Sequence, residues 1–223
     1  MIPPASEHEL TARAAALAGR CLRDVARELG APLPADLRRA KGWLGELMEL
    51  ALGASAGARP VPDFEAIGVE LKTLPVDPRG QPRESTYVCT VPLVGTAGLV
   101  WEDSLVRRKL ARVLWVPFEA DAALALGARR IGSPFLWSPS PADEAILRAD
   151  WEEHLELIAL GRIGEIDARL GSYLQIRPKA LNARGLTRTH DETGLPGRTL
   201  PRGFYLRASF TRRILDQALA HAP

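Results

Sequence analysis

Residues 63–76 read DFEAIGVELKTLPV, and the fold turns on them. Ile67, Val69 and Leu71 alternate with Glu70 and Lys72, the two-residue period of a strand with one apolar and one polar face. Residues two apart on a strand project from the same face, so Glu70 and Lys72 point together. Asp63, at the start of the strand or in the turn before it, can fold back toward them. Two carboxylates converging with one lysine suit a hard divalent cation. Magnesium prefers oxygen ligands, keeps several waters, and needs only one or two protein carboxylates beside a substrate phosphate. A lysine there can exchange a proton; an arginine cannot readily do so. The D…ExK spacing is short, however, and a solvated strand face carrying a Glu–Lys pair satisfies it equally.

Working outward, residues 7–29 carry apolar side chains at three- and four-residue steps from Leu10 to Val25, which predicts a helix ended by Gly30 and the prolines at 32 and 34. Residues 36–52 predict a second helix, followed by the small-residue loop GASAGARPVP. Beyond the turn DPRGQPRE, the stretch STYVCTVPLV predicts another strand, and residues 103–110 a short helix. ARVLWVPFE and YLQIRPK predict two more strands. Residues 141–160 predict a long amphipathic helix with a shorter helical stretch near 163–170, GRTLPRGFYLRASF a hairpin or a strand after a loop, and 210–221 a terminal helix. Helices and strands mix without a strict βαβ rhythm, so the expected class is α/β, a mixed β-sheet core flanked by helices.

The 223 residues are 46% hydrophobic and 25% charged, an ordinary globular composition sized for one domain or two small lobes. There is no apolar run long enough to cross a membrane, and MIPPASEHELTARAAALAG lacks the basic start and apolar centre of a signal peptide. Cys21 and Cys89 are too few for a disulfide scaffold or structural zinc site, so a reducing, cytoplasmic location is the default. Both read as buried thiols, and the five tryptophans as packing residues. The four histidines are scattered without metal-ligand spacing.

Net charge is only +2, but residues 177–223 hold nine basic and three acidic groups. A local excess of that kind draws polyanions although the whole molecule is nearly neutral. Phe204, Tyr205 and Phe210 interleave with it, which favours a nucleic-acid face over a merely solvated one. The basic residues divide into 25 Arg and four Lys, namely Lys41, Lys72, Lys109 and Lys179. In so arginine-rich a chain, each lysine marks a position where a compact ammonium is wanted.

Several long blocks resemble a known family. KGWLGELMELALGASAGARPVPDFEAIGVELKTLPVD, STYVCTVPL, WEDSLVRRKLARVLWVP, RRIGSPFLWSP, DWEEHLELIALG, YLQIRPKA and LPRGFYL are similar, in order, to the MutH family of DNA mismatch-repair endonucleases. That family belongs to the broader restriction-endonuclease-like nucleases, and the likeness runs from about residue 8 to about residue 213. It implies a restriction-endonuclease-like fold over residues 1–223, with two lobes forming a DNA-binding cleft. The catalytic lobe would lie mainly within about 1–120, and the recognition lobe would include about 171–223.

The same resemblance implies roles. Asp63, Glu70 and Lys72 fall on the catalytic motif, Glu49 on an additional acidic residue, and Lys109 on a second active-site lysine. Asp63, Glu70 and Glu49 would hold Mg²⁺. Lys41, Arg177 and Lys179 fall on DNA-contacting positions, and Glu84 and Tyr87 on a DNA-facing loop and strand, where family members carry Phe in place of Tyr87. Tyr205 falls on the aromatic residue linked to reading adenine methylation. Residues 182–199 match poorly and receive no role. The implied activity is Mg²⁺-dependent nicking of the unmethylated strand at hemimethylated GATC sites in double-stranded DNA. It would belong to a monomer activated by a MutL-type ATPase after MutS finds a mismatch. Two other readings stay open: a related type II restriction endonuclease, and a non-catalytic DNA-binding repair factor.

Overall fold

The computed structural model describes residues 1–35, 40, 42–179 and 185–220. Lys41, expected at a DNA contact, lies outside them. The chain divides into two compact units, one of residues 1–84, 109–138 and 214–223, the other of 85–108 and 139–213.

In the first unit, helices α1 (Glu7–Ala15), α2 (Leu22–Glu28) and α3 (Trp43–Leu52) accompany a three-stranded sheet of β1 (Glu70–Val76), β3 (Val113–Glu119) and β4 (Phe135–Trp137), in the order β1-β3-β4. β1 and β3 run parallel, with Glu70 opposite Val113 and Lys72 opposite Trp115, and β4 is antiparallel to β3. Leu71 of β1 and Leu114 and Val116 of β3 enter the apolar cluster with Leu10, Leu22, Leu47, Met48 and Phe64. This burial holds β1 by its apolar face and leaves Glu70 and Lys72 on the other.

Two expectations need correction here. Residues 7–29 are not one helix: Gly19 N–H donates to the Ile131 carbonyl (2.8 Å), Ile131 N–H to Arg20 (3.0 Å) and Leu22 N–H to Arg129 (2.9 Å). Extended pairing with a distant segment therefore displaces helical bonding between α1 and α2, an override that local periodicity does not register. Nor is 63–76 strand throughout. A 3-10 turn, Glu65–Ile67, is closed by Gly68 at φ 68°, and Phe64 bridges back to Val69, so β1 begins at Glu70.

In the second unit, β2 (Thr86–Thr90) and β5 (Leu174–Pro178) flank the central strand β8 (Arg202–Leu206), both antiparallel to it. β6 (Thr187–His190) and β7 (Pro196–Thr199) form a separate hairpin. The short helix α4 (Leu105–Leu110) precedes β3 and α6 (Ala208–Ala220) follows β8; each begins in the second unit and ends in the first, so Lys109 belongs to the first. Helix α5 (Pro141–Ala159) opens with a capping box between Ser140 and Asp143 and a proline in its first turn.

One face of α5 buries Leu147, Asp150, Trp151, His154, Leu155 and Ile158. The buried Asp150 carboxylate accepts the N–H groups of Ser172 (2.7 Å), Tyr173 (2.6 Å) and Leu174 (2.8 Å), and His154 Nε2 lies 3.2 Å from the Leu174 carbonyl. Three charge-assisted bonds thus fix the entry to β5, and with it the position of Arg177 three residues on. Gly171 makes that turn possible: its φ is 81°, and a Cβ there would lie 1.9 Å from the Leu174 oxygen. His154, expected at the surface or in packing, is fully buried. Cys89 is buried, whereas Cys21, at the start of α2, is half-buried and its thiol donates to the Asp24 carboxylate (2.9 Å).

Candidate active site

The turn before β1 brings Asp63 back onto the strand. Its Oδ2 accepts the Leu71 N–H at 2.9 Å, so the carboxylate lies beside the strand one residue from Glu70. Glu70 itself is 1% exposed. A carboxylate so deeply buried requires cations, and it has two. Lys109 Nζ donates to both of its oxygens, at 2.9 and 2.8 Å, and Lys72 forms an ion pair with Oε1. Both lysine side chains are themselves nearly covered, at 11% and 13% exposure for Lys72 and Lys109.

Glu49 stands in the last turn of α3, the helix packed on β1. Burial raises its carboxyl above the usual range, with further upward contributions from Asp63, Glu46 and Glu70 and a downward one from Lys72. Asp63 is raised for the same reason: burial first, then the charge of Glu70, opposed by Lys72, the Leu71 N–H and Lys109. Glu49 thus senses Asp63 and Glu70, and Asp63 senses Glu70, Lys72 and Lys109, so the five residues expected at the active site, Glu49, Asp63, Glu70, Lys72 and Lys109, lie near one another.

Burial disfavours the charged forms of Glu49 and Asp63, and a divalent cation would offset that cost. Among the described residues no three His, Cys, Asp or Glu side chains are grouped so as to enclose a metal ion. Glu49 and Asp63 do offer carboxylate oxygens, the donor type that a hard divalent cation takes.

A second group of expected residues gathers on the β2-β8-β5 sheet. Tyr87 of β2 lies opposite Tyr205 of β8, and the rings meet edge to face with centroids 5.4 Å apart. Burial raises the Tyr205 hydroxyl's pKa, with a smaller push from Tyr87. Lys179 Nζ donates to the Tyr87 hydroxyl (2.9 Å) and Thr90 Oγ1 (3.3 Å) and sits 4.6 Å from the Tyr87 ring centroid. Arg177 donates to Ser85 Oγ at 2.7 Å, its guanidinium carbon 6.0 Å from the Tyr205 ring centroid.

Three members of this group, Ser85, Thr90 and Gly203, were not marked by sequence reasoning. Gly203 faces Arg177 on one side and Thr90 on the other, and a Cβ on it would lie 2.8 Å from the Tyr87 ring and 3.0 Å from that of Tyr205. It provides the slot in which the two rings meet. Only the unexplained glycine in the run PRGFYL could have drawn attention to it. Glu84 is not drawn into either group: it is exposed and has no ion-pair partner among the described residues.

A mixed α/β unit in which β1 carries Glu70 and Lys72, the turn before it Asp63, and α4 Lys109 defines a class, the restriction-endonuclease-like nucleases. The family model for the DNA mismatch repair enzyme MutH matches residues 52–150, which span β1, α4 and β3. Curated relatives extend the likeness to nearly the whole chain. The DNA mismatch repair protein MutH of Yersinia enterocolitica is 53% identical over 213 residues, covering 96% of this chain and 93% of that protein. Its counterpart in Vibrio cholerae is 50% identical over 217 residues, covering 97% and 98%. That of Salmonella paratyphi B is 54% identical over 215 residues, covering 96% and 93%. The chain belongs to the MutH family of DNA mismatch repair endonucleases.

Proposed function

We propose that the protein nicks the unmethylated strand of hemimethylated GATC sites, 5′ to the guanine, in a Mg²⁺-dependent reaction stimulated by a MutL-type ATPase after MutS finds a mismatch. The observation that carries this reading is the arrangement around Glu70: a buried carboxylate held by Lys72 and Lys109, with Asp63 hydrogen-bonded to the neighbouring Leu71 N–H and Glu49 on the helix packed against the same strand. Asp63, Glu70 and Glu49 are the residues that would hold the cation. Magnesium, when bound, supplies a Lewis acid that polarises the phosphoryl oxygen and lowers the pKa of a coordinated water.

The chain's own groups do the rest. Lys72 orients the attacking water, and Lys109 neutralises charge that builds on the phosphate oxygens. The water oxygen bonds to phosphorus, the bond from phosphorus to the 3′ oxygen breaks, and a proton passes to that leaving oxygen. Arg177 offers the fork that pairs with the O6 and N7 acceptors of guanine. Tyr205 lies where the adenine N6 and its methyl group are sensed, steadied by the ring of Tyr87. Lys179 and Lys41 contact the DNA, with Glu84 on the same DNA-facing segment as Tyr87. Residues 1–120 supply most of the catalytic lobe and 171–223 much of the recognition lobe.

The enzyme acts as a cytoplasmic monomer. No described helix is long and apolar enough to cross a membrane. One active site per chain fits nicking better than double-strand cutting.

The test is incubation with Mg²⁺ and supercoiled plasmid in unmethylated, hemimethylated and fully methylated forms. Nicking confined to the first two forms supports the proposal. Mostly linear product at low enzyme would favour a restriction endonuclease. Binding without cleavage, even with MutL and ATP present, would favour a non-catalytic factor.

A further inference from the structure

The β6–β7 hairpin (Thr187–His190 and Pro196–Thr199) has no place in the chemistry above, yet its charge is unusual. In its register Arg188 stands directly opposite Arg198, and both are exposed. Directly opposed residues of an antiparallel pair share one face with Cβ atoms about 5 Å apart, and like charges so placed destabilise the pair. Among the described residues neither guanidinium has an acidic partner. The neighbouring Asp191 is engaged in shaping the turn: its Oδ1 accepts the N–H groups of Thr193 (2.9 Å) and Leu195 (3.0 Å) and the Thr193 hydroxyl (2.7 Å).

The hairpin does not hang free of its unit. His190 Nε2 lies 3.2 Å from the Ala159 carbonyl at the end of α5. The backbone of Asp191 packs so closely on Gly161 that a Cβ there would lie 2.2 Å from the Asp191 carbonyl. The two arginines, both exposed, line a hollow of ≈ 600 Å³ together with Val94, Thr189 and Gly197. A repulsive pair rooted on an anchored hairpin leaves two uncompensated cations that anions can neutralise. The chain leads from the hairpin through Leu200 and Pro201 into β8, and the Pro201 carbonyl accepts the Lys179 N–H at 2.7 Å. The hairpin is thereby tied to the strands that carry Lys179, Arg177 and Tyr205.

We propose that the β6–β7 hairpin grips the sugar–phosphate backbone of duplex DNA, with Arg188 and Arg198 each taking a phosphate. Two guanidinium forks on neighbouring roots can hold adjacent phosphates of one strand. Such contacts add affinity on every sequence and no base preference. This inference rests on the DNA-binding reading above.

The experiment measures binding of the full chain to two short duplexes, one with GATC and one without, in EDTA across a salt series. For Arg188→Ala/Arg198→Ala, the slope of log K against log salt should fall by about 1.8, since each phosphate contact contributes about 0.9. Between about 50 and about 200 mM salt, the variant's loss of affinity should therefore be about twelvefold smaller than the parent's, equally on both duplexes. An unchanged slope, or a loss confined to the GATC duplex, overturns the proposal. A parent that shows no salt-dependent duplex binding overturns the DNA-binding reading itself.

Arg188→Glu separates this role from a structural one. It places opposite charges across the hairpin, so the melting temperature should hold or rise while binding to both duplexes weakens. A lower melting temperature with parental binding would make the pair structural and overturn the proposal.

Discussion

Lys109→Met is the most informative single change, because it removes the ammonium and keeps most of the stem. In the parent, that ammonium makes two charge-assisted bonds, 2.9 and 2.8 Å, to a carboxylate that is 1% exposed. Removing one partner of a buried ion pair ordinarily costs about 3–5 kcal/mol. Lys72 still faces Glu70 in the variant, so the expected loss is smaller, about 2–3 kcal/mol. For a chain of this length that is a drop in melting temperature of about 4–12 °C. The catalytic cost is separate. If Lys109 neutralises charge on the phosphate, its loss should slow nicking about 10²–10³-fold, with duplex affinity in EDTA nearly unchanged. Thermal melting, chemical denaturation and single-turnover nicking of a labelled duplex read the two effects apart. Glu70→Gln and the double variant complete a cycle, in which the two changes should be non-additive by at least about 1 kcal/mol. Additive stabilities, or nicking at the parental rate, would refute the assignment of Lys109 to Glu70 and to the phosphate.

The remaining predictions follow from the same geometry. Asp63 has a carboxyl raised by burial and by Glu70, so relative to the unfolded chain its ionisation weakens the fold. The favourable contribution is complete below its ordinary value of 3.8 and is lost as pH rises through the raised value. Asp63→Asn should therefore melt higher than the parent at neutral pH, lose that advantage toward pH 3.8, and fail to cut, as melting curves across pH and a nicking assay will show. Gly203→Ala should push apart the rings that a Cβ would approach at 2.8 and 3.0 Å, with a stability loss of about 1–3 kcal/mol by denaturant titration and weaker discrimination of methylated sites. Tyr205→Ser should blur that discrimination with turnover on unmethylated DNA largely retained; unchanged selectivity in paired rate measurements would remove Tyr205 from the role. Lys72→Arg should cut far more slowly than the parent at equal DNA affinity, and parental cleavage would dismiss the need for an ammonium there.

Much of this was legible in the sequence because it is local. The alternation of Val69, Glu70, Leu71 and Lys72 states which side chains share a face, and the apolar spacing from Leu147 to Ile158 states which side of α5 is buried. What local pattern could not reveal depends on pairing between distant segments. Lys109 reaches Glu70 across 39 positions because β1 and β3 run parallel and place Glu70 opposite Val113, just beyond the end of α4. No spacing rule contains that contact; only the family resemblance pointed to it. The break between α1 and α2 likewise follows from hydrogen bonds to residues 129–131, more than a hundred positions away. The slot at Gly203 exists only once β2 and β8 have paired. The scarcity of lysine was a truer signal. Of the three lysines described, Lys72 and Lys109 hold Glu70 and Lys179 holds Tyr87, each as a compact donor at a short distance from its acceptors.

The most direct test of the account uses a duplex with one hemimethylated GATC site, each strand carrying a different end label, incubated with the full chain and Mg²⁺. The expected product is a single cut on the unmethylated strand, 5′ to the guanine, absent in EDTA and absent with Asp63→Ala although that variant still binds the duplex. Cleavage of both strands, cleavage of the methylated strand, or parental cutting by Asp63→Ala would contradict it.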